Sequence, residues 1–327
     1  MNHNTLVQPM FDGPVDLIAD VHGEIDSLRD LLLHLGYDEA GNHRTGRRLV
    51  FLGDLVDRGP DSCGVIDLVM RLIDRGRAQC ILGNHELNLL RGKTDPHNAW
   101  FRGEPWIVKG VEIEQVLLPQ NRCSEVLDFI RTLPVALERP DLRAVHACWN
   151  DEAIENMRHE NDALEVFKAA HCRINEQLRV SGYDDEATRE LASQNENPIR
   201  VITSGPECRA ETPFEAGGKL RHNARLPWWE GYDADAFCVC GHYWRTPLDG
   251  KLMGDSLFVP YDEYDLLGNG RVMCIDYSVG GRYLQRQSGH RPFAGRLAAL
   301  RWPECELVFD DGEAVAPRAR QAGFVCP

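Results

Sequence analysis

Three apolar runs in the first ninety residues each end in a short polar motif, and this alternation constrains the fold more than any other feature. Val15–Ala19 precedes DVHG, Leu49–Leu52 precedes GDLVDRG, and Ala78–Leu82 precedes GNHE. Between these runs, leucine, isoleucine and valine recur at helical spacing. The repeated order of strand and helix predicts a parallel sheet with right-handed crossovers. Ligand sites in such sheets lie beyond the carboxyl ends of the strands, which is where all three motifs fall.

Later apolar runs continue the pattern and add strands. Leu142–Val145 leads into His146, and Ala236–Cys240 leads into Gly241 and His242. Further strand-like segments follow at close spacing without helices between them, at 272–276, 283–287, 297–302 and 306–309. This spacing predicts a second sheet that is antiparallel or mixed.

The middle of the chain predicts an addition to the sheets rather than a second domain. Residues 150–200 are charged and helical in pattern, which indicates a helical insertion or cap. Residues 92–110 are aromatic and interrupted by two prolines, which favours an irregular loop at the rim of the site. Because no repeat, low-complexity tract or linker is visible, we expect a single domain over residues 1–327.

The acidic composition limits the partners of the protein. The formal net charge is −15, from 36 basic and 51 acidic residues, so we expect neither nucleic acid nor a membrane surface as a partner. No apolar run approaches the length of a membrane span, and the first residues lack the pattern of a signal peptide. The 11 cysteines form no CxxC pair. We therefore expect a cytoplasmic protein with free thiols.

Five predicted strand ends carry oxygen or imidazole donors and no thiolate. These donors are Asp20, His22, Asp54, Asn84, His146 and His242. Six ligands are too many for one zinc ion, which usually takes four, so they predict two metal ions that share a carboxylate. Asp54 is the expected bridge, because it follows the middle strand and its two oxygens can each bind one ion. A mixed nitrogen and oxygen site permits manganese, iron or zinc, of which we expect manganese.

The motifs carry a family resemblance. DVHG, GDLVDRG, GNHE, VHA at 145–147 and GH at 241–242 resemble, in this order, the motifs of the calcineurin-like metallophosphoesterases. The branch they resemble is that of serine/threonine protein phosphatases and symmetrical diadenosine tetraphosphatases. The resemblance implies an α/β fold of two facing mixed sheets flanked by helices, a four-layer α/β/β/α sandwich with a helical insertion. It also implies that one ion is held by Asp20, His22 and Asp54, and the other by Asp54, Asn84, His146 and His242.

The resemblance further implies direct attack on phosphorus by a metal-bridging hydroxide, without a covalent enzyme intermediate. Arg58 is suited to clamp the phosphate with two parallel hydrogen bonds. His85 can protonate the departing oxygen if Asp57 accepts its other N–H and raises its pKa. A second phosphate-binding arginine is expected upstream of His242. Its candidates are Arg225 and Arg221, with Arg209 and Arg245 as further ones.

Two features of the sequence bear on the choice of substrate. The His242 motif reads GHYWRTP where GHTP-like text is common in the family, so Tyr243 and Trp244 are expected to reshape the pocket. Aromatic residues could stack a nucleobase or serve as ordinary packing, namely Trp100, Phe101, Trp106, Trp228 and Trp229.

We therefore expect a metal-dependent phosphatase that hydrolyses phosphomonoesters on phosphoproteins or small molecules. The alternative is a dinucleoside polyphosphate hydrolase of the diadenosine tetraphosphatase type. A non-catalytic binding module is less favoured, because every predicted metal and acid residue is present. A dinucleotide-binding enzyme is disfavoured, because no GxGxxG follows Val15–Ala19.

Overall fold

The chain builds two mixed sheets that carry helices on their outer faces. The computed structural model describes residues 5–108, 110–182, 185–216, 219–246, 256–289 and 291–319. The strands in these ranges are β1 (Val7–Pro9), β2 (Val15–Ile18), β3 (Arg48–Phe51), β4 (Ala78–Cys80), β5 (Trp106–Val108), β6 (Val111–Ile113), β7 (Ala136–Arg139), β8 (Leu142–Val145), β9 (Glu207–Ala216), β10 (Lys219–Arg225), β11 (Phe237–Cys240), β12 (Val272–Cys274), β13 (Ala298–Trp302), β14 (Glu306–Phe309) and β15 (Ala314–Val315).

Within the described ranges, α-helices lie in six of the fourteen connections between these strands. They are α1 (Ile25–Leu35), α2 (Ser62–Asp74), α3 (Asn84–Leu90), α4 (Ala99–Arg102), α5 (Cys123–Arg131), α6 (Asp151–Met157), α7 (Ala163–Ser181), α8 (Glu186–Asn195), α9 (Pro198–Ser204) and α10 (Arg282–Gln287). The first two are amphipathic, and each has one end marked by a local signal of the sequence. Gly36 ends α1 in a left-handed conformation at φ 90°, and the Asp61 side chain accepts a hydrogen bond from Gly64 N at the start of α2.

Each sheet contains a block of parallel strands that carries the predicted motifs. The first sheet has the order β15-β14-β13-β2-β3-β4, in which β2, β3 and β4 are parallel and β13 joins β2 antiparallel. The second has the order β1-β7-β8-β11-β12, in which β8, β11 and β12 are parallel. The motifs after β2, β3 and β4 therefore share one edge of the first sheet, and those after β8 and β11 share one edge of the second.

The two sheets face one another across an apolar layer, which confirms the predicted four-layer α/β fold. Leu17 and Val50 from the first sheet lie in one buried cluster with Val239 and Met273 from the second. Side chains on the opposite faces, such as Phe51, belong to a different cluster that includes the helices. Alternation of side chains along each strand separates these two faces.

Four helices, α6 to α9, occupy the region where the sequence predicts a helical insertion. A side chain caps the N-terminus of each helix by accepting a hydrogen bond from a backbone N–H. The capping residues are Asn150, Asp162, Asp185 and Asn197. The insertion is tied to the second sheet, because the backbone N–H groups of Ala147 and Cys148 donate to Ile202 O at 3.0 and 3.2 Å. None of the helices in the described ranges is both long and apolar enough to cross a membrane.

Two local predictions are wrong, and one pair of strands was not predicted. Residues 283–287 form α10 rather than a strand, and the buried residues of this helix, Arg282 and Gln285, are spaced as on one helical face. Glu207–Ala216 and Lys219–Arg225 pair as an antiparallel hairpin that the sequence does not signal, because its side chains are largely exposed and show no apolar alternation. Cys305 is disulfide-bonded, whereas nine other cysteines in the described ranges are free.

Candidate metal centre

The loops at the carboxyl ends of the strands bring the six predicted ligands together. His22 Nε2 lies 3.9 Å from Asp20 Oδ2 and 3.7 Å from Asp54 Oδ2. His146 Nε2 lies 3.4 Å from Asp54 Oδ1 and 3.1 Å from Asn84 Oδ1. Backbone N–H of His242, from the second sheet, donates to both oxygens of Asp20 at 3.1 and 3.2 Å. Residues from both sheets thus converge on one point.

Two groups of side chains in the described ranges could each hold a metal ion, and they share one residue. The ligand atoms of Asp54, His146 and His242 lie within 4.8 Å of one another, and so do those of Asp54, His22 and His85. Asp54 therefore stands between the two groups, which is the position that the sequence predicts for it. By distance His85 belongs to the group of Asp54 and His22, although the sequence predicts it to be an acid and not a ligand.

The hydrogen bonds of the histidine rings fit metal binding. Nδ1 of His22 is 3.0 Å from Val56 O, and Nδ1 of His146 is 2.7 Å from Leu52 O. A ring that donates from Nδ1 to a carbonyl presents the lone pair of Nε2, as metal-ligating histidines commonly do. Burial and the nearby Arg58 lower the pKa of His22, which favours the neutral ring. The oxygen and imidazole donors suit divalent ions such as manganese, iron or zinc.

The buried aspartates of the site and the histidines near them shift one another's pKa values. Burial and the charge of Asp276 raise the pKa of Asp20. Burial opposes the ionisation of Asp54, but His146 and His85 outweigh it and lower its pKa. Burial also opposes the protonation of His146, yet the two aspartates raise its pKa to about 10.

Glu86 fixes the GDLVDRG and GNHE loops relative to each other, a role that the sequence analysis missed. Its carboxylate accepts hydrogen bonds from the backbone N–H of Asp54 at 2.8 Å, Leu55 at 2.8 Å and Gly83 at 3.1 Å. Gly83 is required here, because a Cβ at this position would lie 2.3 Å from Asp54 N. The signal was present in the GNHE motif, whose last residue is this glutamate.

His85 is held by a buried chain of hydrogen bonds. Its Nδ1 lies 2.6 Å from Asp57 Oδ2, and the other carboxylate oxygen of Asp57 accepts from Trp100 Nε1 at 2.6 Å. The backbone N–H of Asp57 donates to Ser62 Oγ at 2.9 Å. Burial opposes the protonation of His85, but the charges of Asp54 and Asp57 outweigh it and raise its pKa. A raised pKa suits a group that donates a proton.

The aromatic residues near the site serve mainly as packing. Trp100 and Trp229 are fully buried and Trp106 is 4% exposed, so none of the three offers an open ring face to a base. Phe101 and Trp228 are half-buried. The role of Trp100 is the hydrogen bond to Asp57, which the sequence did not predict.

Of the four candidate arginines, Arg225 lies close to the predicted ligand His242. Arg225 is half-buried, and its Cζ lies 5.3 Å from the ring centroid of Tyr243. Burial lowers the pKa of His242, and the positive charge of Arg225 lowers it further. Arg221 lies on the same strand and is exposed.

The other two arginines are engaged elsewhere. Arg209 is exposed and pairs with Asp185 at 2.6 Å. Arg245 is buried and donates to the backbone oxygen of Asp262. These contacts leave Arg225 as the stronger candidate for a second contact with phosphate.

Asp276 is a further acidic residue of this region that the sequence analysis did not select. It is fully buried, its Oδ1 accepts from Ser278 N at 2.8 Å, and its Oδ2 has no hydrogen-bond partner among the described residues. Burial raises its pKa to about 6. It ends an apolar run, as the predicted ligands do, so the same pattern could have identified it.

Residues 13–208 match the calcineurin-like phosphoesterase family, and the chain belongs to this family. Among curated relatives, it is 45% identical over 80 residues to the asymmetrical bis(5'-nucleosyl)-tetraphosphatase PrpE of Oceanobacillus iheyensis, which covers 24% of this chain and 32% of that protein. It is 35% identical over 130 residues to the symmetrical bis(5'-nucleosyl)-tetraphosphatase of Dechloromonas aromatica, covering 40% and 42%. The matches thus span less than half of either relative.

Solved structures share the fold at low sequence identity. The cold-active protein-tyrosine phosphatase of a psychrophilic Shewanella aligns with a TM-score of 0.51 and 17% identity, over 95% of this chain and 82% of that one. A protein provisionally described as a diadenosine tetraphosphatase aligns with a TM-score of 0.50 and 18% identity, over 93% and 95%. These likenesses support the fold along nearly the whole chain.

Proposed function

We propose that the protein is a dinuclear-metal phosphoesterase that hydrolyses phosphomonoesters. The observation that carries the proposal is Asp54, which is shared by two groups of potential metal ligands. One of these groups includes His85, which contacts both the guanidinium of Arg58 and the carboxylate of Asp57. In our proposal Asp20, His22 and Asp54 hold one ion, and Asp54, Asn84, His146 and His242 hold the other. When bound, two divalent ions supply an activated water and neutralise phosphate oxygens that would repel it.

The side chains of the protein then perform the remaining steps. Arg58 binds the phosphate through its paired N–H groups and keeps phosphorus in line for attack. His85 donates the proton on Nε2 to the departing oxygen, because Asp57 holds Nδ1 and keeps the ring oriented. Trp100 in turn holds Asp57. Arg225 provides a second contact with the phosphate or the group attached to it.

A second candidate is the hydrolysis of dinucleoside polyphosphates. It is favoured by the names of the relatives, which are bis(5'-nucleosyl)-tetraphosphatases. The separation of Arg58 and Arg225, which lie by different metal ligands, would also suit a chain of several phosphates. The buried state of Trp100, Trp106 and Trp229 gives no support to a base-stacking platform at those positions.

Elemental analysis of the untreated protein, combined with assays on three substrates, tests the proposal. The substrates are p-nitrophenyl phosphate, a phosphopeptide and diadenosine tetraphosphate. We expect two ions per chain, with manganese as the favoured metal. We also expect the protein to hydrolyse the first two substrates and a chelator to abolish this activity. Preferential turnover of diadenosine tetraphosphate would select the second candidate. A protein that holds metal but hydrolyses none of the three would refute both.

The bridging role of Asp54 is tested by Asp54→Asn. An amide has only one oxygen, so it cannot serve two ions in the manner of a carboxylate. We expect this variant to lose activity and at least one of the two ions by elemental analysis. Retention of both ions at wild-type occupancy would contradict the bridge.

A further inference from the structure

Arg58 enters the candidate metal centre and pairs with no carboxylate of the described residues. In the described part of the chain its polar contacts are two imidazole nitrogens, with Nη1 3.2 Å from His22 Nε2 and Nη2 3.2 Å from His85 Nε2. The residue is half-buried and adopts φ 71°, which a non-glycine residue rarely does. A guanidinium that must recognise phosphate needs a fixed plane, because two parallel hydrogen bonds require a defined direction.

The indole of Trp244 covers the guanidinium of Arg58. Arg58 Cζ lies 5.1 Å from the centroid of the Trp244 ring, within the range of a cation–π contact. Trp244 is half-buried and follows the predicted ligand His242 by two residues. The guanidinium is also bounded by Gly280, where an added Cβ would lie 3.0 Å from Nη1. The space around Arg58 is therefore shaped by an aromatic ring and a bare backbone.

An aromatic neighbour suits a phosphate clamp better than an acidic one. A carboxylate would orient the arginine but would also occupy its N–H groups and compensate its positive charge. An indole attracts the cation through the face of its ring and accepts no hydrogen bond from the edge of the guanidinium. The indole therefore takes up none of the N–H groups that phosphate would need.

We propose that Trp244 is a positioning residue that holds the guanidinium plane of Arg58 for phosphate binding. The proposal rests on the proposed function insofar as Arg58 is the phosphate clamp. It gives a role to the tryptophan in GHYWRTP, where the sequence departs from the family pattern. Trp244 acts through Arg58 and makes no contact of its own with phosphate.

A double-mutant cycle tests this role. Trp244→Leu is made in the wild-type and Arg58→Ala backgrounds, and the affinity of the metal-loaded protein for inorganic phosphate is measured by isothermal titration calorimetry. We expect Trp244→Leu alone to weaken phosphate binding by about three- to thirty-fold, the range of one cation–π contact. In the Arg58→Ala background the same change should have no further effect. Trp244→Phe should restore most of the affinity, because it keeps an aromatic face.

A remote pair of the same kind provides the matched control. Arg48 Cζ lies 3.8 Å from the ring centroid of Phe11, and Arg48 opens β3 at the end opposite to Asp54. Phe11→Leu should leave phosphate affinity unchanged. An equal loss from Trp244→Leu in both backgrounds, or no loss in the wild type, would overturn the proposal. If the protein binds phosphate normally but hydrolyses no phosphoester, the proposed function is refuted. The double-mutant cycle still tests the role of Trp244 in that case, because it measures binding and not turnover.

Discussion

Several residues of the candidate site occupy backbone conformations that are uncommon for their type. His22, Asp54, Asp57, Arg58 and His242 have φ values of 47°, 47°, 73°, 71° and 67°. Non-glycine residues in this region carry strain of about 1–3 kcal/mol each, and such residues concentrate at functional sites. The tight loops that result project side chains from the strand ends toward one another.

At this scale we predict that His85→Asn lowers turnover of p-nitrophenyl phosphate by about 10²- to 10⁴-fold, the usual contribution of a general acid or base. Metal content by elemental analysis should stay near the wild-type value, since the role of His85 is to donate a proton. A variant with an intact rate would exclude His85 as the acid.

Gly280→Ala should disturb the metal centre without removing any ligand. The new Cβ would lie 2.3 Å from His22 Cδ2, so the buried imidazole would have to move. We expect metal affinity or activity to fall by about ten- to hundred-fold, as for other groups that orient a ligand. Elemental analysis and the p-nitrophenyl phosphate assay measure the two effects.

The matched control is Gly231→Ala, because a Cβ at Gly231 meets no atom within 4 Å. It should leave both metal content and rate unchanged. Equal behaviour of the two variants would show that the space beside His22 is not critical.

At the scale of secondary-structure elements, loops and insertions position what the strands cannot. Glu86, in the first turn of α3, accepts hydrogen bonds from the loops after β3 and β4. Helix α9 accepts hydrogen bonds from the residues just after His146. The β9–β10 hairpin supplies Arg225. The helical insertion and the hairpin therefore contribute to the site even though they lie outside the first ninety residues.

Two arginines of the same strand allow a direct comparison. Arg225→Ala should raise the KM for p-nitrophenyl phosphate by about ten-fold or more, because a hydrogen bond to a charged group contributes about 1.5–3 kcal/mol. Arg221→Ala should have little effect, since its side chain is exposed. Steady-state kinetics of both variants decide between them, and a larger effect from Arg221 would reverse the assignment.

At the scale of the whole molecule, a buried ion pair links separate segments of the chain in the first sheet. It lies at the end of the strands opposite to the metal ligands. Asp16 is fully buried in β2, and Arg47 Nη2 lies 2.8 Å from its Oδ1. Tyr37 donates its hydroxyl to Asp16 Oδ2 at 2.7 Å, and Arg47 also donates to Trp302 O at 3.1 Å. The network connects β2, β13 and the segment before β3.

Asp16→Asn should lower the free energy of unfolding by about 3 kcal/mol, because it leaves the charge of Arg47 buried without this partner. Urea unfolding at neutral pH measures the change. Glu304→Gln is the control, since Glu304 also pairs with Arg47 at 2.8 Å but is 51% exposed. It should cost less than about 1 kcal/mol. Equal losses from both variants would contradict the importance of burial.

The prediction from sequence succeeded where a local pattern carried the information and failed where the pattern was short or polar. Apolar runs with polar ends identified β2, β3, β4, β8 and β11. The six residues of α10 are too few to distinguish a helix from a strand, and the β9–β10 hairpin lacks the apolar alternation on which strand prediction depends.

The sequence by itself determined the layered α/β architecture, the donors at the strand ends and the family, because each depends on residues that are neighbours along the chain. Only the tertiary structure decided which distant residues meet them. It placed Arg225 rather than Arg221 beside His242, Trp244 over Arg58, and Trp100 on Asp57. The physical reason is that such contacts join separate loops and elements, and their distances depend on how these pack rather than on local periodicity.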